Sequence, residues 1–239
     1  GDDTTPEGEQ VNIYGNHVGS WNFAATAYLN RWKVKIYYEH YFDDHSQMFF
    51  QYGRWKDGHI GLEITFPKNR FIDTFVYEGL GTKDQTGPML YDSFWGKFEE
   101  QISAKDNYYN HYLYQGWQHW GMGIGNPLLP GPIYNKNGQI TFISNRVLAH
   151  HIGFCGSPCQ SLSYRMLLSY SRHWGTYDNP LNEIKKQFNS LFEVTYAPQQ
   201  LKGWSFTVSG AMDRGSILGN NYGGMLVIRK QGIIKSGNK

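Results

Sequence analysis

The sequence predicts an all-β chain folded as an antiparallel transmembrane β-barrel, and three observations predict it. Long stretches alternate apolar and polar residues with a period of two, as strands with two unlike faces do. Several stretches are long: 18–30 and 161–174 exceed the roughly 9–11 tilted residues that cross a bilayer as a strand. Tyr and Trp gather near the ends of the stretches, at Trp32, Tyr41, Trp55, Tyr77, Trp174, Tyr196, Trp204 and Tyr222. Interfacial aromatic girdles stand at such places in membrane barrels. A soluble sandwich alternates too, with its polar face in water. Strand length and aromatic placement favour the barrel.

Composition sets the bounds. The 239 residues suffice for one large all-β domain or two small ones. Aromatics make up 17% and charged residues 18%, with 28 glycines for turns. Mean hydropathy is −0.57, and no run of about 18 apolar residues occurs, so no helix is expected to span a bilayer. The formal net charge is +2, without a Lys/Arg block, which argues against nucleic acid as a partner. The opening GDDTTPEGEQ is polar and acidic. It does not read as a signal peptide, so the chain is expected to be cytosolic, or mature or truncated material.

The elements follow in order. In 18–29, Trp21, Phe23, Ala25, Ala27 and Leu29 oppose Ser20, Asn22, Ala24, Thr26 and Tyr28. In 31–44, Trp32, Val34, Ile36 and Tyr38 oppose Lys33, Lys35, Tyr37, Glu39 and Tyr41. The same division runs through 59–66, 187–196 and 201–213; further candidates are 47–55, 70–79, 109–115, 139–154, 161–174 and 222–234. Turn signals separate them: Asp57-Gly58 as a two-residue hairpin signal, then 66–70, 135–138, 197–203 and 219–224. Helical signal is thin, a turn or two at 94–102 and at 182–188. The count is ten to twelve strands. A polar segment precedes them at 1–16, barrel strands span 17–235 with long loops at 80–107 and 116–138, and a tail covers 236–239.

Two segments depart from alternation: 82–92 and 106–132, rich in Tyr, Trp, Asn and Gly. Long loops are usually functional or disordered, and so many aromatics argue against disorder. Flat rings stack on sugar C–H faces and amides bond sugar hydroxyls. Tyr108, Tyr109, Asn110, Tyr114, Gln115, Trp117, Trp120 and Asn126 are therefore candidate polysaccharide contacts; the alternative is that these side chains pack the loop or plug the lumen. Lys33 and Lys35 could attract acidic groups of a glycan, or simply pair with carboxylates such as Glu63 and Glu193.

Other motifs carry less. Cys155 and Cys159 in CGSPC form a small disulfide loop in an oxidising compartment, or stay free thiols. His150 and His151 stand nearby, but adjacent strand residues point to opposite faces, so no metal is expected. Gly121–Gly125 lacks GxGxxG spacing and a following helix. Asp43-Asp44-His45-Ser46 reads as a solvated loop rather than a triad. Neither a catalytic residue nor a cofactor is expected.

The same two segments resemble the capsule assembly Wzi family of Gram-negative outer membranes. The matching residues are Thr82, Asp84, Gln85, Thr86, Gly87 and Pro88, then 106–110, Tyr114–Trp117 and Gly121–Leu128, with 145–156 similar to the strand that follows. The resemblance spans roughly 17–235. It implies a non-enzymatic, lectin-like outer-membrane barrel whose partners are capsular polysaccharide and outer-membrane lipid. Family members are about twice this length, so the chain resembles their C-terminal half. The missing strands would then come from an N-terminal half or a second chain; the alternative is a short relative whose own strands close into a narrower barrel. Barrels of this kind commonly end on an aromatic residue, whereas here Lys235–Lys239 follow the last strand candidate. A porin-like channel for small solutes is the alternative function.

On this reading Trp32, Val34, Ile36 and Tyr38 face lipid, and the lysines opposite them line the lumen. A lysine at the lipid midplane costs about 2–4 kcal/mol, and a register slip of one residue would put both there.

Overall fold

The computed structural model describes residues 19–42, 57–69, 71–85, 107–110 and 117–232. Its strands are β1 (Gly19–Leu29), β2 (Trp32–Phe42), β3 (Gly58–Thr65), β4 (Thr74–Gly81), β5 (Gln118–His119), β6 (Met122–Gly123), β7 (Val147–Cys159), β8 (Leu162–Gly175), β9 (Pro180–Tyr196), β10 (Trp204–Gly215) and β11 (Asn221–Lys230). Nine of them form one antiparallel sheet in the order β1-β2-β3-β4-β7-β8-β9-β10-β11. β5 and β6 make a separate hairpin inside the β4–β7 connection. The helical content among the described residues is one 3-10 turn, Pro132–Tyr134. The expected all-β antiparallel architecture is present, as a nine-stranded sheet that does not close on itself among the described residues.

Every strand neighbours the next large strand in sequence, so the sheet is an up-and-down meander and its two ends differ. At one end the connections are short: 30–31, 66–73, 160–161 and 197–203. Asn30, at φ 57, makes the first of these a tight two-residue turn. At the other end lie 43–57 and 82–146, with the shorter 176–179 and 216–220.

The register divides the side chains cleanly. One row crosses all nine strands through Ala25, Ile36, Leu62, Tyr77, Ile152, Leu168, Ser190, Met212 and Tyr222. The adjacent row, on the opposite face, runs through Ala24, Tyr37, Gly61, Glu78, His151, Ser169, Asn189, Asp213 and Asn221. The first face is largely apolar and open: Phe23, Ile36, Ile60, Phe192, Val208 and Leu226 are each more than half exposed. The buried apolar core is correspondingly small. Leu80, Leu129, Phe142, Val147 and Ala149 form it, between the ends of β4 and β7 and the connection that folds over them.

Several local expectations are corrected. Residues 182–188 are not helical; they belong to the 17-residue β9, where pairing with β8 and β10 outweighs local preference. Residues 139–146 precede β7 as irregular chain, and β4 starts at Thr74 rather than at 70. Asp57-Gly58 does not turn a hairpin onto β3, whose two edges are taken by β2 and β4. Segments 47–55, 94–102 and 111–116 lie outside the described residues. The small disulfide loop considered for CGSPC is also absent. Cys155 and Cys159 both lie within β7, with a bulge between Gly156 and Cys159, and both thiols are free. Four steps of extended chain put their Cα atoms on the order of 10 Å apart, beyond the ~4.4–6.8 Å a disulfide needs.

The bulged end of β7 is held by the 66–73 turn. Asp73 donates its N–H to Cys155 O at 2.8 Å, and the Tyr164 hydroxyl donates to Phe71 O at 2.8 Å. A Cβ at Gly156 would stand 1.7 Å from Phe71 O, so Gly156→Ala must push this turn off the sheet. The expected loss is about 1–3 kcal/mol, read as a lowered unfolding midpoint; an unchanged midpoint would contradict this packing.

Candidate functional site

The polar face is built from the alternate residues of each strand, and near the long-loop end it forms a connected belt. The Tyr37 hydroxyl donates to Glu78 Oε1. Its ring crosses Gly61, where a Cβ would stand 2.0 Å from it. His59 bridges two carboxylates, 3.8 Å from Glu39 and 3.6 Å from Glu78. His151 meets Ser169 at 2.6 Å, Ser171 meets His173 at 2.9 Å, and Asn189 donates to Asp213 at 2.6 Å.

Above this belt the β4–β7 connection closes over the sheet and leaves a cavity of about 880 Å³. Sheet residues Glu39, His59, Glu78, His151, Ser169 and Asn189 line one side, and Tyr109, Asn126 and Leu128 the other. The sheet curls enough that Ser20 of β1 and Leu218 after β10 reach the same cavity. Among the described residues no Lys or Arg lines it. Its walls offer hydroxyls, amides, carboxylates and imidazoles beside aromatic and aliphatic surface. The volume lies within the ~300–1,000 Å³ typical of small-molecule sites.

A buried polar clasp fixes the lid. Asn145, fully buried, donates to Asn107 Oδ1 at 2.6 Å and to Tyr108 O at 2.8 Å. It accepts from the Gln85 amide at 2.7 Å. The Thr82 hydroxyl donates to Asn145 O at 2.6 Å and accepts the Val147 N–H at 2.7 Å. The Asn110 amide pairs with the Phe142 backbone in both directions, at 2.8 Å each. Tyr108 donates to Asp57 Oδ2 at 2.9 Å, and Asp84 N–H donates to Asp57 Oδ1 at 3.0 Å. Burial pushes the Asp57 carboxyl above its ordinary value, and these two donors oppose that shift.

The β5–β6 hairpin stands out from the lid. Trp120 at φ 53 and Gly121 at φ 79 form its two-residue tip. Both central residues of a type I′ turn need positive φ, and a non-glycine there costs of order 1–3 kcal/mol. The hairpin is braced: Ile133 donates to Gly121 O at 2.8 Å and Ile124 to Trp117 O at 2.7 Å. Trp120 is 86% exposed. A strained, rigid turn thus presents a bare indole.

The candidate residues therefore separate. Trp117 and Trp120 sit on this hairpin. Tyr109 and Asn126 line the cavity, where the Asn126 N–H donates to the Tyr109 hydroxyl at 3.3 Å. Tyr108 and Asn110 are committed to the clasp, with Tyr108 only 4% exposed, so they shape the lid rather than offer a surface. Tyr114 and Gln115 lie outside the described residues. Lys33 and Lys35 belong to the short-turn end, away from the cavity: Lys33 pairs with Glu63 at 3.3 Å and Lys35 stands 5.2 Å from the Tyr37 ring centroid. The pairing alternative is the one observed for Lys33; Glu193 pairs with Arg165 instead, at 3.3 Å.

Sequence reasoning missed His151, Ser169 and Asn189 as lining, and Asp57 and Asn145 as clasp. Alternation places the first three on the polar face, but only the folded lid decides which end of each strand it covers. Among the described residues no group of three or more His, Cys, Asp or Glu side chains is placed to hold a metal ion. The chain matches no protein-family model, and comparison with curated proteins and with solved structures finds no match.

Asp57 gives the clasp a pH signature. Its folded-state pKa is raised above 3.8, so the folded chain binds this proton more tightly than the unfolded chain. Its contribution to stability is therefore full at low pH and declines as pH rises from about 3.8 through the raised value. Asp57→Asn keeps an oxygen for the Asp84 N–H and does not ionise. Unfolding midpoints at pH 3–8 should show the variant gaining on the parent as pH rises; parallel profiles would show that Asp57 does not titrate in this window.

Proposed function

We propose that the chain forms part of an outer-membrane β-barrel of a Gram-negative bacterium that binds or organises capsular or other surface polysaccharide, without catalysing a reaction. The observation that carries the membrane reading is the open apolar face, continuous across nine strands. Each Å² of it left in water costs about 25 cal/mol, and soluble monomers rarely expose patches above a few hundred Å². Among the described residues no second layer covers it, as a soluble sandwich would require. Lipid is the solvent that suits such a face. Aromatics sit on it towards both ends: Trp32, Tyr196 and Trp204 at the short-turn end, Trp21, Tyr170 and Tyr222 towards the other.

Strand direction supports a larger barrel. β1 and β11 both run from the long-loop end to the short-turn end. Pairing them directly would be parallel, so all-antiparallel closure takes an odd number of further strands. Nine plus an odd number is even, as in bacterial single-chain barrels. An N-terminal half or a second chain would supply them. Two like-oriented copies of this sheet cannot, because each junction would again be parallel.

The polysaccharide reading is supported by the exposed Trp120 hairpin at the long-loop end, by the hydroxyl- and amide-lined cavity beneath it, and by the likeness of 82–88 and 106–128 to Wzi loops. Short turns would face the periplasm and long loops the cell exterior. The channel alternative draws on the polar face but is opposed by the lid, whose Tyr109, Asn126 and Leu128 face the belt across the cavity.

Three outcomes test this. Ile36→Arg, on the apolar face, should cost about 2–4 kcal/mol and deplete the membrane fraction, while Ala24→Lys on the polar face is tolerated; the reverse pattern, or a parent that stays soluble without detergent, removes the barrel. Trp120→Ala should weaken binding of the cell's own capsular polysaccharide about tenfold, in line with the loss of one well-packed aromatic contact, at unchanged thermal stability; equal binding removes the hairpin. In planar bilayers the protein should pass no steady current, and a stable conductance would favour the channel instead.

A further inference from the structure

The outward, apolar face carries a group of cations at its long-loop end. Arg172 and Lys186 are directly opposed on β8 and β9, with Leu148 the neighbour of Arg172 on β7. Arg214 follows one strand on, opposite Phe188. Lys83 and Arg146 arrive from the connection: Arg146 Nε donates to Lys83 O at 3.1 Å. Lys83 and Arg172 both sit against Trp174, 4.8 and 5.0 Å from its ring centroid. Like charges directly opposite each other destabilise a sheet, and none of these five cations makes an ion pair among the described residues. Arg172 Nε is moreover a buried donor without a hydrogen-bond partner among the described residues. The buried Nε is itself out of reach, but the side chain as a whole is only half-buried and Lys186 beside it is exposed, so this pair of opposed cations is open to an anionic group from outside the protein.

The surroundings narrow what that group is. Two residues further along the strands from Arg172 and Lys186, the same face turns apolar and aromatic at Tyr170 and Phe188. A ligand that meets the guanidinium and also lies along this face is an amphiphile with an anionic head. Guanidinium groups bind phosphate oxygens with paired, charge-assisted hydrogen bonds. Among the described residues no Lys or Arg lines the cavity, so the two sites differ in ligand chemistry. We propose that Arg172, Lys186 and their neighbours form a site for the phosphate group of an anionic membrane lipid, seated at the headgroup level of the leaflet at the long-loop end. This rests on the membrane-barrel reading. Arg172 and Lys186 carry the headgroup contact, the Trp174 ring holds the Arg172 side chain in place, and Tyr170 and Phe188 take the start of the acyl region.

The test uses the full-length protein in nanodiscs of zwitterionic phospholipid with or without 10% diphosphorylated lipid A. Dephosphorylated lipid A and inorganic phosphate serve as comparison probes. Bound lipid is counted by native mass spectrometry, and stability is followed by the unfolding midpoint. The expected result is retention of diphosphorylated lipid A and a raised midpoint, with both effects reduced about tenfold in R172Q/K186Q. Dephosphorylated lipid A should be retained no better than bulk lipid. Trp120→Ala should leave retention unchanged. Equal retention of both lipid A forms, an unaltered double variant, or full competition by inorganic phosphate at equal concentration would each overturn the site. Insertion without phosphate preference overturns this site alone; failure of the parent to enter nanodiscs overturns the barrel reading with it.

Discussion

Pairing register is the constraint on which everything else depends. Ile36 stands beside Ala25 and Leu62, and this alignment continues row by row to Tyr222 on the ninth strand. A slip of one residue between β2 and β3 would bring Lys33, Lys35 and Glu39 level with the apolar row and Ile36 into the belt. The belt cannot absorb such an exchange. His59 needs both Glu39 and Glu78, and Tyr37 needs the missing side chain of Gly61 to reach Glu78. Polar pairing on one face and apolar continuity on the other thus specify the same register from two sides.

The lid depends on that register in turn. Its small core rests on Leu80 and Ala149, which are register partners on β4 and β7 and project from the polar face. Around them the clasp uses amides and hydroxyls rather than apolar bulk. Asn145, Gln85 and Thr82 bond backbone and side chains from three separate parts of the chain. Directional bonds of this kind fix position where a hydrophobic contact would allow sliding, because each unmade bond leaves a buried polar group unsatisfied. Positional fixity matters for the hairpin above: a strained turn at Trp120 persists only when its surroundings over-determine it.

Charge is sorted along the strands as well as across them. Basic groups on the polar face near the short turns, Lys33 and Arg165, are ion-paired to Glu63 and Glu193. Carboxylates and histidines collect beneath the lid, and cations that make no ion pair among the described residues collect on the outward face near the long loops. Three regions of one sheet therefore present three chemistries, and neither composition nor the formal net charge of +2 distinguishes them.

Much of the sheet was legible in the sequence. Alternation in 18–29, 31–44, 59–66 and 201–213 assigned faces that the register confirms, because side-chain direction in a strand is a local property of the pleat. Strand ends were less legible: β9 begins at Pro180 through residues with helical character, and CGSPC lies inside β7 instead of turning the chain. Of the candidate site, the loop was found but its division of labour was not. Tyr108, Tyr109, Asn110 and Trp120 look alike in sequence, yet one bonds Asp57, one lines a cavity, one braces Phe142 and one stands in solvent. By itself the sequence determined which residues share a face. Which of them meet under the lid, which are spent in the clasp and which cations lack an ion pair among the described residues follow from the folded arrangement. Those outcomes depend on how segments about 30 to 60 residues apart come together, as Gln85 and Asn145 do across a separation of 60, and no local periodicity records such a distance.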